Sequence, residues 1–291
     1  MNNPLNDLSK LSEPITKLID VVSKGIGIVY RPIGTVRQAK ADTKAMIIKT
    51  IAKAEALSIE QRAQQRLRYH GMLNQQNIEQ IVSKAIQELP DKVSEKPVNQ
   101  DWIIQFFNHA KDVCDEDMQT IWARILAGET SAPNSYAKRT LDFLKTMEKR
   151  EAEAFTVFCS FAFTGLVGEN NYLIFDEEIV RNELINKLGP IDYINHFHAI
   201  GLINTPHHMA PSNTTGKRVS NCGIDYTLVG PEKPPQTKTL ASLEKDILLR
   251  TFTQIGNQLA RIAGAKPIEG FVEKLSDYLK SNFKVQFSPL H

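Results

Sequence analysis

From Val36 to about Glu88 the chain holds no proline and a single glycine, Gly71. Its core, RQAKADTKAMIIKTIAKAEALSIEQRAQQRLRYHG, is built from strong helix formers, so the spacing predicts one long helix. Ile48, Ala52, Ile59, Ala63 and Leu67 recur at helical spacing, and Ile47, Ile51 and Ala54 widen the stripe. Lys40, Lys44, Lys49, Lys53, Arg62, Arg66 and Arg68 fall on the other side. A compact domain cannot cover so long a stripe, so a second copy of the chain is the expected partner and the protein is expected to be a homo-oligomer. The competing arrangement is an antiparallel hairpin, with Ile78, Ile81, Val82 and Ile86 folding back near Gly71.

Charge is laid out unevenly along the 291 residues. Residues 1–68 carry 12 Lys and Arg against 6 Asp and Glu, a net +6, while residues 69–129 carry 5 against 10, a net −5. The rest is nearly neutral, and the whole sums to +2. A basic arm of this kind can meet phosphates, anionic lipid or an acidic stretch of a neighbouring copy. With 42% hydrophobic and 23% charged residues the chain can bury a core, which excludes a wholly disordered protein. No run approaches the ~20 apolar residues of a membrane span, and the opening MNNPLNDLSKLSEP lacks a secretory pattern. Ile15, Leu18, Ile19 and Val22 share one helical face, expected to pack on its own protein, with peripheral membrane contact as the alternative. Three scattered cysteines, Cys114, Cys159 and Cys222, suit a reducing, cytoplasmic setting rather than a disulfide framework.

After Leu89 and Pro90, DKVSEKPVN reads as a linker. Asp115 is a good N-cap for a helix with Met118, Ile121, Trp122, Ile125 and Leu126 on one apolar face, which Gly128 is expected to close. Trp102, Phe106 and Phe107 supply a facing surface, and Ser135 is expected to cap a helix carrying Leu141, Leu144 and Met147. The run WARILAGE (122–129), followed by Pro133, Ser135 and RTLDFLK (139–145), resembles the hallmark of an uncharacterised bacterial family. The Ala/Lys/Glu-rich helix AKADTKAMIIKTIAKAEA, the QQNIE at 75–79 and the KPVNQDW at 96–102 fit the same family. The resemblance spans roughly residues 25–160. It implies a cytosolic bacterial protein related to abortive-infection, that is phage-defence, proteins, and it carries no catalytic residues with it.

In the last third, NYLIF (171–175) reads as a strand and Asp176 as the cap of EEIVRNELINKLG. A helix follows from Pro190 to Gly201, then strands LIN (202–204) and YTLV (226–229), the order of a winged helix. The candidate recognition helix carries Asn195, His196 and His198 but no Lys or Arg, while the wing loop offers Lys217 and Arg218. Thr253 caps a further helix, and Phe271, Leu275 and Leu279 line the last one.

A metal site built from His196, His198, His207, His208 and Cys222 fails on pattern, because two histidines two apart on a helix point about 200° apart and no C-x-x-C completes the set. Cys114 lies among acidic residues and Cys159 inside an apolar helix, which predicts two inert thiols. No phosphate loop, dinucleotide fingerprint or nucleophile elbow occurs. No catalytic residue, cofactor or small-molecule substrate is therefore expected.

The expected fold is mainly α, of the α+β class: a helical arm over residues 1–90, a central helical module over 96–165 and a winged-helix-like region over 166–291. The expected function is a non-enzymatic, oligomerising phage-defence component that binds a macromolecular partner, DNA or a phage protein. The contact residues would be Lys40, Lys44, Lys49, Lys53, Arg62, Arg66, Arg68, Lys217 and Arg218. The alternative is a membrane-associated toxic effector acting through its N-terminal amphipathic helices.

Overall fold

In a computed structural model, residues 12–27, 30, 58–231 and 245–290 are described. The chain is α+β, with helices and one antiparallel sheet. It divides into two compact units between Met147 and Glu148, so the helix after Lys149 joins the C-terminal unit rather than the central module.

The first unit is helical: α1 (Glu13–Ile26), α2 (Ile59–Gln87), α3 (Gln100–Ala110), α4 (Glu116–Ser131) and α5 (Lys138–Thr146). Helix α1 buries Leu18, Ile19, Val21 and Val22 and packs on α3 and α4. Leu18, Ile19 and Val22 of the predicted apolar face are thus covered within this unit. Helix α2 runs unbroken through Gly71, which sits in open space, so no hairpin forms there. One glycine costs a helix only about 1 kcal/mol. Ile78, Ile81, Val82 and Ala85 pack against α4 instead of folding back. Trp102, Phe106 and Trp122 form the aromatic centre, with Trp102 stacked on Phe106 and Phe106 edge-on to Trp122, both at 5.3 Å.

The second unit holds α6 (Lys149–Cys159), β1 (Phe163–Gly165), β2 (Gly168–Phe175), α7 (Glu178–Leu188), α8 (Tyr193–Ala199), β3 (His207–Met209), β4 (Arg218–Asn221), β5 (Ile224–Val229), β6 (Ile247–Thr251), α9 (Gln254–Ala260), α10 (Phe271–Phe283) and β7 (Gln286–Pro289). The sheet order is β3-β6-β2-β1-β4-β5-β7. Within it, α6-β2-α7-α8-β3-β6 follows winged-helix order, with β6 paired antiparallel to both β2 and β3. The wing is therefore β3 with β6, not LIN with YTLV. Leu202 and Ile203 are buried and Ile203 bridges Phe252, while 226–229 pairs with β4 and β7 in an extension of the sheet. Phe155, Phe158, Phe197 and Phe252 interlock beneath this core at 4.9–5.9 Å.

Candidate partner-binding surfaces

Helix α2 starts in a capping box: the Ser58 hydroxyl accepts from the Gln61 N–H and the Gln61 side chain accepts from the Ser58 N–H. Its buried residues begin only at Asn77, so the stretch 59–76 contributes no buried side chain. Arg62, Arg66 and Arg68 stand on that stretch, all exposed, and none makes an ion pair among the described residues. At about 100° per residue, Arg62, Arg66 and Tyr69 share one side and Arg68 faces elsewhere. Ile59 and Leu67 are 78% and 69% exposed, which leaves the predicted apolar stripe open at this end. Lys40, Lys44, Lys49 and Lys53 lie outside the described residues.

From Asn77 onward the helix becomes structural. The Asn77 amide donates to the Lys111 carbonyl at 2.8 Å, and the Gln119 amide donates to the Val113 carbonyl at 2.9 Å. Tyr30, buried, donates its hydroxyl to Glu79 at 2.6 Å, and burial first, then that carboxylate, pushes its pKa far up.

In the second unit, α8 occupies the recognition-helix position, but its polar groups are consumed by its own fold. His196 pairs with Glu151 at 3.0 Å, His198 Nδ1 lies 3.2 Å from the Ile203 carbonyl, and Asn195 is held between Asp192 and Arg250. Such a helix has little left to offer a base edge. Lys217 and Arg218 are exposed in the connection between the wing strands β3 and β6, where the chain enters β4.

Sequence reasoning missed a buried charge cluster nearby. Asp176, read as a helix cap, is buried and bound by Arg250 at 2.6 Å and by Arg181 at 2.5 Å. Glu177 is the true N-cap residue of α7; its carboxylate accepts from the Leu248 N–H and from the Tyr278 hydroxyl. The pairing joins residues more than 70 apart, so no local pattern announces it. These groups brace β2, β6, α7 and α10 rather than open to a ligand.

The histidines do not converge. His196 and His198 are tied as above, and His207 and His208 alternate along β3. Among the described residues no group of three or more His, Cys, Asp or Glu is arranged to hold a metal ion. Nor is any helix there long and apolar enough to cross a membrane. Cys222 instead lies in a cleft of about 200 Å³ with Cys159, lined also by Thr164, Tyr172, Ser220 and Arg261.

The WARILAGE segment is framework. Trp122, Ala123, Ile125, Leu126 and Ala127 are buried, and Arg124 pairs with Glu88 at 3.3 Å. Gly128 does not end the helix, which runs on to Ser131. A Cβ there would meet the Tyr136 ring at 2.8 Å, and this close approach is what calls for glycine. Glu129 is buried and accepts from the N–H groups of Asn134 at 2.7 Å and Tyr136 at 2.9 Å, holding the loop between α4 and α5. Burial raises its pKa against the opposing pull of those hydrogen bonds. Ser135 donates to the Ala132 carbonyl, and the N-cap of α5 is Ala137.

Residues 61–190 match a family described as "Protein of unknown function (DUF2806)". WARILAGE and RTLDFLK both lie within the match, in agreement with a resemblance to an uncharacterised family. The chain matches none of the curated proteins and none of the solved structures.

Proposed function

We propose that this protein is a non-enzymatic, self-associating component of phage defence that grips an anionic macromolecular partner, duplex DNA, by its backbone. The observation that carries the reading is the first half of α2, which shows three exposed arginines and buries no side chain in its own fold. Guanidinium groups so displayed suit phosphate, with Lys217 and Arg218 as a second contact. The cation-free, internally bonded α8 supports a grip that ignores base sequence. The open Ile59 and Leu67 support pairing of α2 with a second copy. The defence role rests on the resemblance of the 122–145 motifs to abortive-infection proteins.

DNA binding measured against salt tests the grip. The wild-type protein should bind an arbitrary duplex at low salt, and Arg62→Glu/Arg66→Glu/Arg68→Glu should lose about tenfold or more with a shallower salt slope. Absence of low-salt binding, or an unchanged slope in the variant, defeats the DNA reading. Phage plating on cells with and without the gene tests the defence role, and equal plating across a phage panel defeats it.

A further inference from the structure

The cleft in the second unit brings together two cysteines 63 positions apart, and independent features hold them there. Asn221 and Ile224 are register partners across the β4–β5 hairpin, leaving Cys222 and Gly223 as a two-residue turn with φ 48° and 84°. Two positive φ angles in a two-residue loop mark the type I′ pattern, whose first position ordinarily takes Asn, Asp or Gly. A cysteine there carries backbone strain of about 1 kcal/mol, and residues held at such a cost cluster at functional sites. Asn221 is buried and donates its amide to the Ser160 carbonyl at 3.0 Å and the Ala162 carbonyl at 2.9 Å. That clamp fixes the turn against the residues immediately following Cys159.

The lining has a consistent electrostatic character. Thr164 and Ser220, register partners across β1 and β4, supply hydroxyls, Tyr172 a phenol and Arg261 a guanidinium; no carboxylate lines the cleft. Arg261 is exposed and makes no ion pair among the described residues. Tyr172, Arg261 and both cysteines line this one cleft. Cys222 is half-buried and Cys159 fully buried.

We propose that this cleft is a thiol–disulfide exchange site in which Cys222 takes up a small anionic disulfide and Cys159 resolves it. The Cys222 thiol gives its proton to solvent and its sulfur attacks one sulfur of the external disulfide. The external S–S bond breaks, and one thiolate leaves and takes up a proton. Cys159 then loses its proton and attacks the Cys222 sulfur, and the second external thiolate leaves and is protonated. Two protein thiols become one disulfide, one external disulfide becomes two thiols, and two electrons pass outward. Burial raises both thiols above their ordinary range, so the reaction is slow near neutrality and quickens as pH rises. The carboxylate-free lining with the Arg261 charge selects a disulfide bearing carboxylates over a cationic one.

The full-length Cys114→Ser protein treated with oxidised glutathione tests this by intact mass and peptide mapping. The expected product has lost two hydrogens and links Cys159 to Cys222, and adding Cys159→Ser should instead trap a glutathione adduct on Cys222. Exposure long enough to modify Cys114 in the native protein, with both cleft thiols still free, overturns the proposal. So does a Cys222→Ser variant in which Cys159 reacts at the original rate. Arg261→Glu should slow the reaction with oxidised glutathione about tenfold and leave the reaction with the cationic disulfide cystamine as fast or faster. Equal slowing of both, or of neither, overturns the assignment to an anionic disulfide.

Discussion

Gly128 shows how a residue that looks like a helix terminator can serve packing instead. Its Cα faces the buried Tyr136 ring, and a methyl group would sit 2.8 Å from it. Gly128→Ala gains helix propensity but must displace that ring, with an expected net loss of about 1–2 kcal/mol. Chemical denaturation checks this, and an unchanged or raised midpoint contradicts the packing account. Tyr278 offers a pH signature. Burial, then the neighbouring Glu177, pushes its phenol from 10.0 up to about 12. A group whose folded pKa is raised stabilises below its unfolded value and loses that contribution as pH climbs through the folded value. The second unit should therefore lose stability between pH 10 and about 12. Tyr278→Phe should flatten that window, and the ultraviolet phenolate titration of the variant should match the wild type near pH 10 and lose one group near pH 12.

At the scale of the element, α2 combines two roles divided near Asn77. Its second half is core, with Ile81, Val82 and Ala85 fully buried on α4. Its first half presents Ile59 and Leu67 to solvent. Leu67→Asp should therefore change monomer stability by no more than about 0.5 kcal/mol while lowering the mass seen by light scattering. A wild-type monomer, or an oligomer indifferent to the substitution, would remove α2 as the pairing surface. Part of this element is legible in sequence, since the stop before Pro90 and the apolar spacing follow from local propensity. Its start at the extended Ser58 cap, inside a run free of proline and predicted as one helix, is not. Where the stripe ceases to be buried is not legible, because that depends on where α4 lies.

At the scale of the molecule, the division falls between Met147 and Glu148, at the junction of two helices that sequence reading joined in one module. The second unit builds its core from its own residues, among them the Phe155, Phe158, Phe197 and Phe252 cluster. Residues 148–291 expressed alone should melt cooperatively. Within that fragment Asp176→Asn should cost about 3 kcal/mol or more, since it leaves Arg250 buried beside an uncharged partner. A fragment without a cooperative transition would show that the units depend on each other.

Local chemistry written into consecutive residues sufficed for the α+β class, the caps at Asp115 and Thr253, the buried faces of α1, α4 and α10 and the exposed arginines of α2. Each follows from propensity and periodicity acting over a few turns. Strand partners did not follow. YTLV could equally have closed the wing, and only the burial of Leu202 and Ile203 and the pairing of β6 with both β2 and β3 settled otherwise. The same holds for Asp176 with Arg250 and for Cys159 in one cleft with Cys222. These pairings depend on which distant segments share a wall of the core, and no window of neighbouring residues carries that information.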